Sequence, residues 1–213
     1  MKDLLVTMGA SEVRGYMAEY LGQLQDAGIE TNIDKLGDFP NKNGGGTLGF
    51  QIKKERELAQ RFSDYEKIVF TDAWDVLFYG TKADVIRKIP DDYVLLGAER
   101  NCYPDALPIA GDTPWRFTNG GLMAGSPKNI LAWLDGLERH PLYRPDDINQ
   151  RLYNLLLLQG SELVSIDSRT ELFYCLILDN AELQFEGGLP INTLCGTHPI
   201  FIHANGKSEM RKP

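Results

Sequence analysis

The chain has 213 residues, 43% apolar and 24% charged, which is ordinary globular usage for a core that needs no disulfide or structural metal. Its 22 basic and 30 acidic residues leave a formal net charge of −8, which argues against a basic nucleic-acid footprint over the whole surface. Cys102, Cys175 and Cys195 have neither zinc-knuckle nor redox spacing and read as reduced, mostly buried thiols; no apolar run is long enough for a signal peptide core or a membrane span.

Leu4 to Thr7 predicts a buried first strand, with its exit turn at Met8 to Ser11. Tyr16, Met17, Tyr20, Leu21 and Leu24 recur at helical spacing, Gly28 closes that helix, and Ile29 to Ile33 forms a second strand. Residues 36 to 49, with Pro40 and the triplet Gly44-Gly45-Gly46, read as a loop that moves or wraps something. A charged helix over Ile52 to Phe62 leads into the clearest strand, Lys67 to Thr71, which stops abruptly at Asp72-Ala73-Trp74-Asp75. Val76 to Tyr79 resumes apolar character, and Tyr93 to Ala98 is a strand ending at Glu99. A loop over 100 to 116 precedes Phe117 to Ala124, which carries Asn119-Gly120-Gly121. Helices follow over 127 to 137 and 146 to 158. Short strands near Leu163 to Ile166, Leu172 to Ile177, Leu183 to Phe185 and Pro199 to Ile202 complete the pattern, the last running into His203-Ala204-Asn205-Gly206-Lys207.

Strands alternating with helices predict one α/β domain over 1–213 with a largely parallel sheet. Such sheets bind ligands where strands end at their carboxyl side. Thr7, Asp72, Asp75, Glu99, Asn119 and His203 occupy those places. Asp72 and Asp75, three apart on a tight turn, can converge on a divalent cation; the plain alternative is two solvated aspartates capping the next element. His203 can complete such a site, and mixed nitrogen and oxygen ligation suits Mn²⁺ better than Mg²⁺. The alternative is a histidine in a surface turn. Asp147 with Gln150 reads as a capping box, though an acid there can also face a substrate. Asn119-Gly120-Gly121 is a bulge that brings backbone to a ligand, or a simple bend. The triplet Gly44 to Gly46, followed by Lys53 and Lys54, resembles a phosphate-binding loop without fitting either familiar spacing. Trp74 offers a flat face for a base, or merely packs at the sheet edge.

The segments LLVTMGASEVRGYM, GGGTLGFQIKKERE, KIVFTDAWDVLFYG, LLGAERNCYPD, RFTNGGLMAGSP, DDINQRLYNLLL, SIDSRTELFYCL and PIFIHANGK occur in this order and span almost the whole chain. As a series they resemble the glycosyltransferase domain of the procollagen lysyl hydroxylases and related bacterial and viral transferases. The resemblance implies a GT-A fold, Rossmann-like with helices flanking the sheet, a UDP-sugar donor and Mn²⁺ (or Mg²⁺). It places Asp72, Asp75 and His203 on the metal, Trp74 on the uracil, and Val6 and Thr7 beside the base. Gly206 and Lys207 would contact the diphosphate. Lys54 belongs to a loop covering the donor, and Asn119 and Asp147 would lie near the sugar. This chain has Ile148 and Asn149 in the two places before Gln150 where the family has an acidic run. Either Asp147 or Asn149 then takes the catalytic position.

The expected function is metal-dependent transfer of a hexose from a UDP-sugar to a hydroxyl on a protein, a glycan or a modified nucleobase, in the cytoplasm of a bacterial or phage-infected cell. The rivals are a metal-dependent nucleotidyltransferase and a catalytically silent module that holds a nucleotide sugar. DNA as acceptor rests on the cluster Lys53, Lys54, Arg56 and Arg61, against the negative net charge.

Overall fold

The computed structural model describes residues 1–35, 49–145, 147–176 and 181–205. Six strands form the main sheet in the order β2-β1-β3-β6-β5-β7: β1 (Lys2–Ala10), β2 (Glu30–Lys35), β3 (Tyr65–Thr71), β5 (Val94–Glu99), β6 (Phe117–Gly125) and β7 (Val164–Ile166). β1 pairs parallel with β2 and β3, and β5 with β7, whereas β6 runs antiparallel to both its neighbours. The sheet is thus mainly parallel, with one reversed central strand. A second sheet, β4 (Val76–Phe78), β11 (Phe201–His203) and β8 (Phe173–Cys175), packs beside it, and β9 (Leu183–Glu186) and β10 (Leu189–Asn192) form a hairpin.

Alternation along the inner strands explains why they look uniformly apolar in sequence. Successive side chains point to opposite faces, and both faces are covered. Leu4, Val6, Met8 and Val69 enter a core shared with Met17, Tyr20 and Leu24 of α1 (Met17–Asp26). Leu5, Ile68 and Phe70 enter the opposite core with Ile52 and Leu58 of α2 (Gly49–Arg61) and with Trp133, Leu134 and Leu137 of α4 (Pro127–Arg139). Gly28, with φ of +65°, follows α1 where the chain must reverse. Ser126 caps α4 ahead of Pro127, and Thr81 caps α3 (Lys82–Lys88), a helix the sequence reading passes over.

Two local expectations are corrected. Helix α5 (Asn149–Leu158) starts later than the sequence pattern suggests, with Ile148 at its N-cap and no side-chain cap bond. The capping box does not form, because Gln150 turns inward to Glu99 while Asp147 accepts from the Ile148 N–H and pairs with Arg151. The last strand also ends later than expected and includes His203, with Ile202 pairing Leu77 and His203 pairing Val76. The cysteines are free; Cys175 is buried, while Cys102 and Cys195 are only half-buried. Among the described residues no helix is long and apolar enough to cross a membrane. The glycine triplet at 44 to 46, and Gly206 and Lys207, lie outside the described residues.

Candidate active site

Sheet register brings the acidic turn and the histidine together. β11 pairs antiparallel with β4 so that His203 stands opposite Val76, and the next residue's amide, Ala204, donates to the Asp75 carbonyl at 2.7 Å. On the other flank the Asp72 amide donates to the Gly121 carbonyl at 3.0 Å. His203 Nε2 lies 3.1 Å from Asp72 Oδ2 and 3.4 Å from Asp75 Oδ2. One ligand atom from each residue falls within 4.8 Å of the others, a spread that fits three ligands around one divalent cation. His203 is buried at 2% exposure, while Asp72 keeps half its side chain accessible, so the group is anchored below and open above. Burial opposes charge on His203, but the adjacent Asp72 and Asp75 carboxylates and the Cys175 thiol outweigh it and hold its pKa well above the usual value. The same burial pushes the Cys175 thiol up to about 11.

A bulge makes room for this group. The β5–β6 ladder jumps from Leu96–Met123 to Ala98–Thr118, so residues 119 to 122 leave their register with β5. The sequence motif Asn119-Gly120-Gly121 lies in that excursion. A Cβ on Gly121 would stand 2.3 Å from Asp72 Oδ2 and 3.0 Å from His203 Cε1, so only glycine permits the approach.

Behind the bulge, Glu99 at the end of β5 is buried and gathers three amides. Its Oε2 accepts from Asn119 Nδ2 at 3.0 Å and from Asn205 Nδ2 at 2.9 Å, and its Oε1 accepts from Gln150 Nε2 at 2.5 Å. Burial raises the Glu99 pKa, and the three amide bonds work against that rise. Asn119 is consequently tied on both sides, since its Oδ1 accepts the Gly121 N–H at 3.0 Å. Its role here is to hold the bulge.

The other expected residues distribute unevenly. Asn149 is buried with an unpartnered Oδ1, 2.9 Å from where a Cβ on Gly120 would be. Asp147 pairs with Arg151, which also binds Asp105 at 2.6 Å, and lines a recess of about 240 Å³ with Ile52, Leu142 and Arg144. Trp74 donates through Nε1 to the Glu12 carbonyl at 2.9 Å, and the Arg14 guanidinium stacks 3.6 Å from its ring centroid, occupying one face. Val6 is completely buried, and the Thr7 hydroxyl accepts from Asn32 at 2.9 Å. Lys54 is drawn to Asp34 at 2.9 Å. Arg56 is likewise neutralised by Asp135 and Glu138, so the basic cluster considered for DNA is half-cancelled by carboxylates.

Sequence reasoning missed Gln51 and Glu55 on α2. Gln51 Nε2 donates to Glu55 Oε1 at 2.7 Å and to the Gly120 carbonyl at 3.1 Å. Their i,i+4 spacing on an inward helical face was the available signal.

The mainly parallel α/β sheet flanked by helices is that of the GT-A fold. The fold matches a crystal structure of a glycosyltransferase involved in the glycosylation of the major capsid of PBCV-1, with a TM-score of 0.60, 12% identity, and coverage of 96% of this chain and 94% of that one. The chain belongs to the PLOD GT domain family, whose model matches residues 4–211. It is 29% identical over 211 residues to a multifunctional procollagen lysine hydroxylase and glycosyltransferase of Caenorhabditis elegans, covering 85% of this chain and 28% of that protein. It is 27% identical over 233 residues to the human LH3 enzyme of the same description, covering 99% of this chain and 30% of that one. The chain therefore spans less than a third of the length of these relatives.

Two outcomes follow. Glu99→Gln places an amide donor where three donors converge, so the chain should lose about 1–3 kcal/mol of stability, seen as a lower urea midpoint at constant slope. Burial raises the Glu55 carboxyl from 4.5 to about 8, with the Gln51 bond opposing and the charge of Asp72 adding to the rise. The folded chain then binds more protons than the unfolded one across that window, so stability is lost as pH rises through it. In chelator, Glu55→Gln should gain on wild type in thermal midpoint between about pH 5 and pH 8; a constant difference would contradict the assignment.

Proposed function

We propose that this glycosyltransferase is metal-dependent and moves a hexose from a UDP-sugar to an acceptor hydroxyl. The convergence of Asp72, Asp75 and His203 at the strand ends carries the reading. Two carboxylates and an imidazole suit Mn²⁺, or Mg²⁺ with fewer protein ligands. A divalent cation held there supplies positive charge where the departing diphosphate accumulates negative charge.

The chain's own residues fill the remaining roles. Trp74, between the two carboxylates in sequence and covered on one face by Arg14, contacts uracil, with the Val6–Thr7 backbone beside the base. Gly206 and Lys207, next after Asn205, contact the diphosphate, and the Lys207 ammonium adds positive charge to the leaving group. Lys54, paired with Asp34, lies at the margin of the donor site. Asn149 rather than Asp147 stands nearest the reacting sugar. It is buried beside Gly120 with a free acceptor, whereas the Asp147 charge is taken by Arg151.

The acceptor is a hydroxyl of a protein or glycan, or less favourably of a modified DNA base. Pairing of Lys54 and Arg56 with carboxylates weakens the electrostatic case for DNA.

The metal assignment is tested by Asp75→Ala. Wild type should gain thermal stability with UDP and Mn²⁺ together, as any ligand of the folded state confers. The variant should fold but lose that gain and at least about 100-fold in turnover, the order expected when charge stabilisation of a leaving group is removed. Retained turnover would refute the metal role.

A further inference from the structure

We propose that Glu55 is a specificity-determining contact for the transferred sugar, its Oε2 and the Asn149 Oδ1 together engaging hexose hydroxyls beside Gly120. The proposal rests on the donor reading above and adds a residue from helix α2, which that reading leaves unused.

Glu55 is 5% exposed. Its Oε1 is occupied by Gln51, whose amide also holds the Gly120 carbonyl. Its Oε2 is buried and makes no hydrogen bond, and the same is true of Asn149 Oδ1. Gln51 links Glu55 to the Gly120 carbonyl, and the Asn149 Oδ1 lies 2.9 Å from where a Cβ on Gly120 would be. The next residue, Gly121, lies against Asp72 and His203.

Buried polar atoms in folded proteins are nearly always paired, and leaving one unpaired costs about 1–3 kcal/mol. Two such atoms on side chains joined around one glycine beside Asp72 and His203 can be paired by donors of a bound ligand. Diphosphate oxygens and a metal ion offer no hydrogen-bond donor. Sugar hydroxyls offer several: the hexose carries its first on the carbon next to the one that bears the diphosphate, and UDP alone keeps only those of the ribose. Trp74, the base contact, packs instead against Glu12 and Arg14.

The test compares binding of UDP with binding of UDP-glucose and UDP-galactose to the full chain with Mn²⁺, by calorimetry. Glu55→Met fills the volume without a hydrogen-bonding group, and Glu55→Gln restores one. The Met variant should bind UDP within about twofold of wild type. It should lose about tenfold in affinity for the preferred UDP-hexose, the size of one hydrogen bond, and the Gln variant should recover most of that loss. Equal losses for UDP and UDP-hexose would overturn the proposal, showing that Glu55 acts only through Gln51 and the Gly120 backbone. So would unchanged affinities, or a Gln variant as weak as the Met variant. Should Met unfold the chain, Glu55→Leu takes its place: a loss confined to the UDP-hexose supports the contact, and an equal or absent loss overturns it. A wild type that binds neither UDP nor UDP-hexose refutes the donor reading itself, an outcome separate from these.

Discussion

A single buried carboxylate holds the parts of this site together. Glu99 ends a central strand, and its two oxygens receive amides from the bulge of β6, the first turn of α5 and the segment after β11. Those three pieces are far apart in sequence, and each carries a residue of the candidate site: Gly121, Asn149 and His203. An ionised carboxyl has only acceptors, so three converging donors satisfy it without competition. Its burial would otherwise penalise the charge, and the amides are what make that burial tolerable. Remote packing and local chemistry thus meet at one side chain.

The Asp-Asp-His group depends on the same arrangement. Asp72 is fixed through the Gly121 carbonyl, which Asn119 and Glu99 keep in place, and Asp75 is fixed through the amide that follows His203. Without a cation, two carboxylates and a buried imidazole are stabilised by keeping the imidazole protonated, which is why the pKa of His203 stands so high. A divalent cation bound by the three side chains would supply the same positive charge and displace that proton.

Much of this was legible in the sequence, for physical reasons. Uniformly apolar runs that stop at polar residues identify strands buried on both faces, and the points where they stop identify the ligand edge. That logic put Asp72, Asp75, Glu99 and His203 at strand ends, whereas Thr7 and Asn119, expected there too, lie within β1 and β6. Sequence pattern could not decide how the chain between Asp147 and Gln150 turns. Asp147 and Gln150 satisfy a capping pattern locally, but the structure gives Gln150 to Glu99 and Asp147 to Arg151, so tertiary partners override the local one. The stacking of Arg14 on Trp74 was equally hidden, since it joins residues 60 apart. Gln51 and Glu55 were passed over because a charged helix reads as a solvated face until its packing is known. One oxygen of Glu55 bonds Gln51, and the other is buried without a partner.

The fold and family make the chain a glycosyltransferase, and the central claim beyond them is that a divalent cation at Asp72, Asp75 and His203 activates a UDP-sugar. The most direct measurement is UDP release from a panel of UDP-sugars in Mn²⁺, in Mg²⁺ and in chelator, with water as the default acceptor. The account predicts slow release from one preferred donor, fastest with Mn²⁺ and abolished by chelator. Release at the same rate in chelator, or UMP and sugar 1-phosphate in place of UDP, would contradict it.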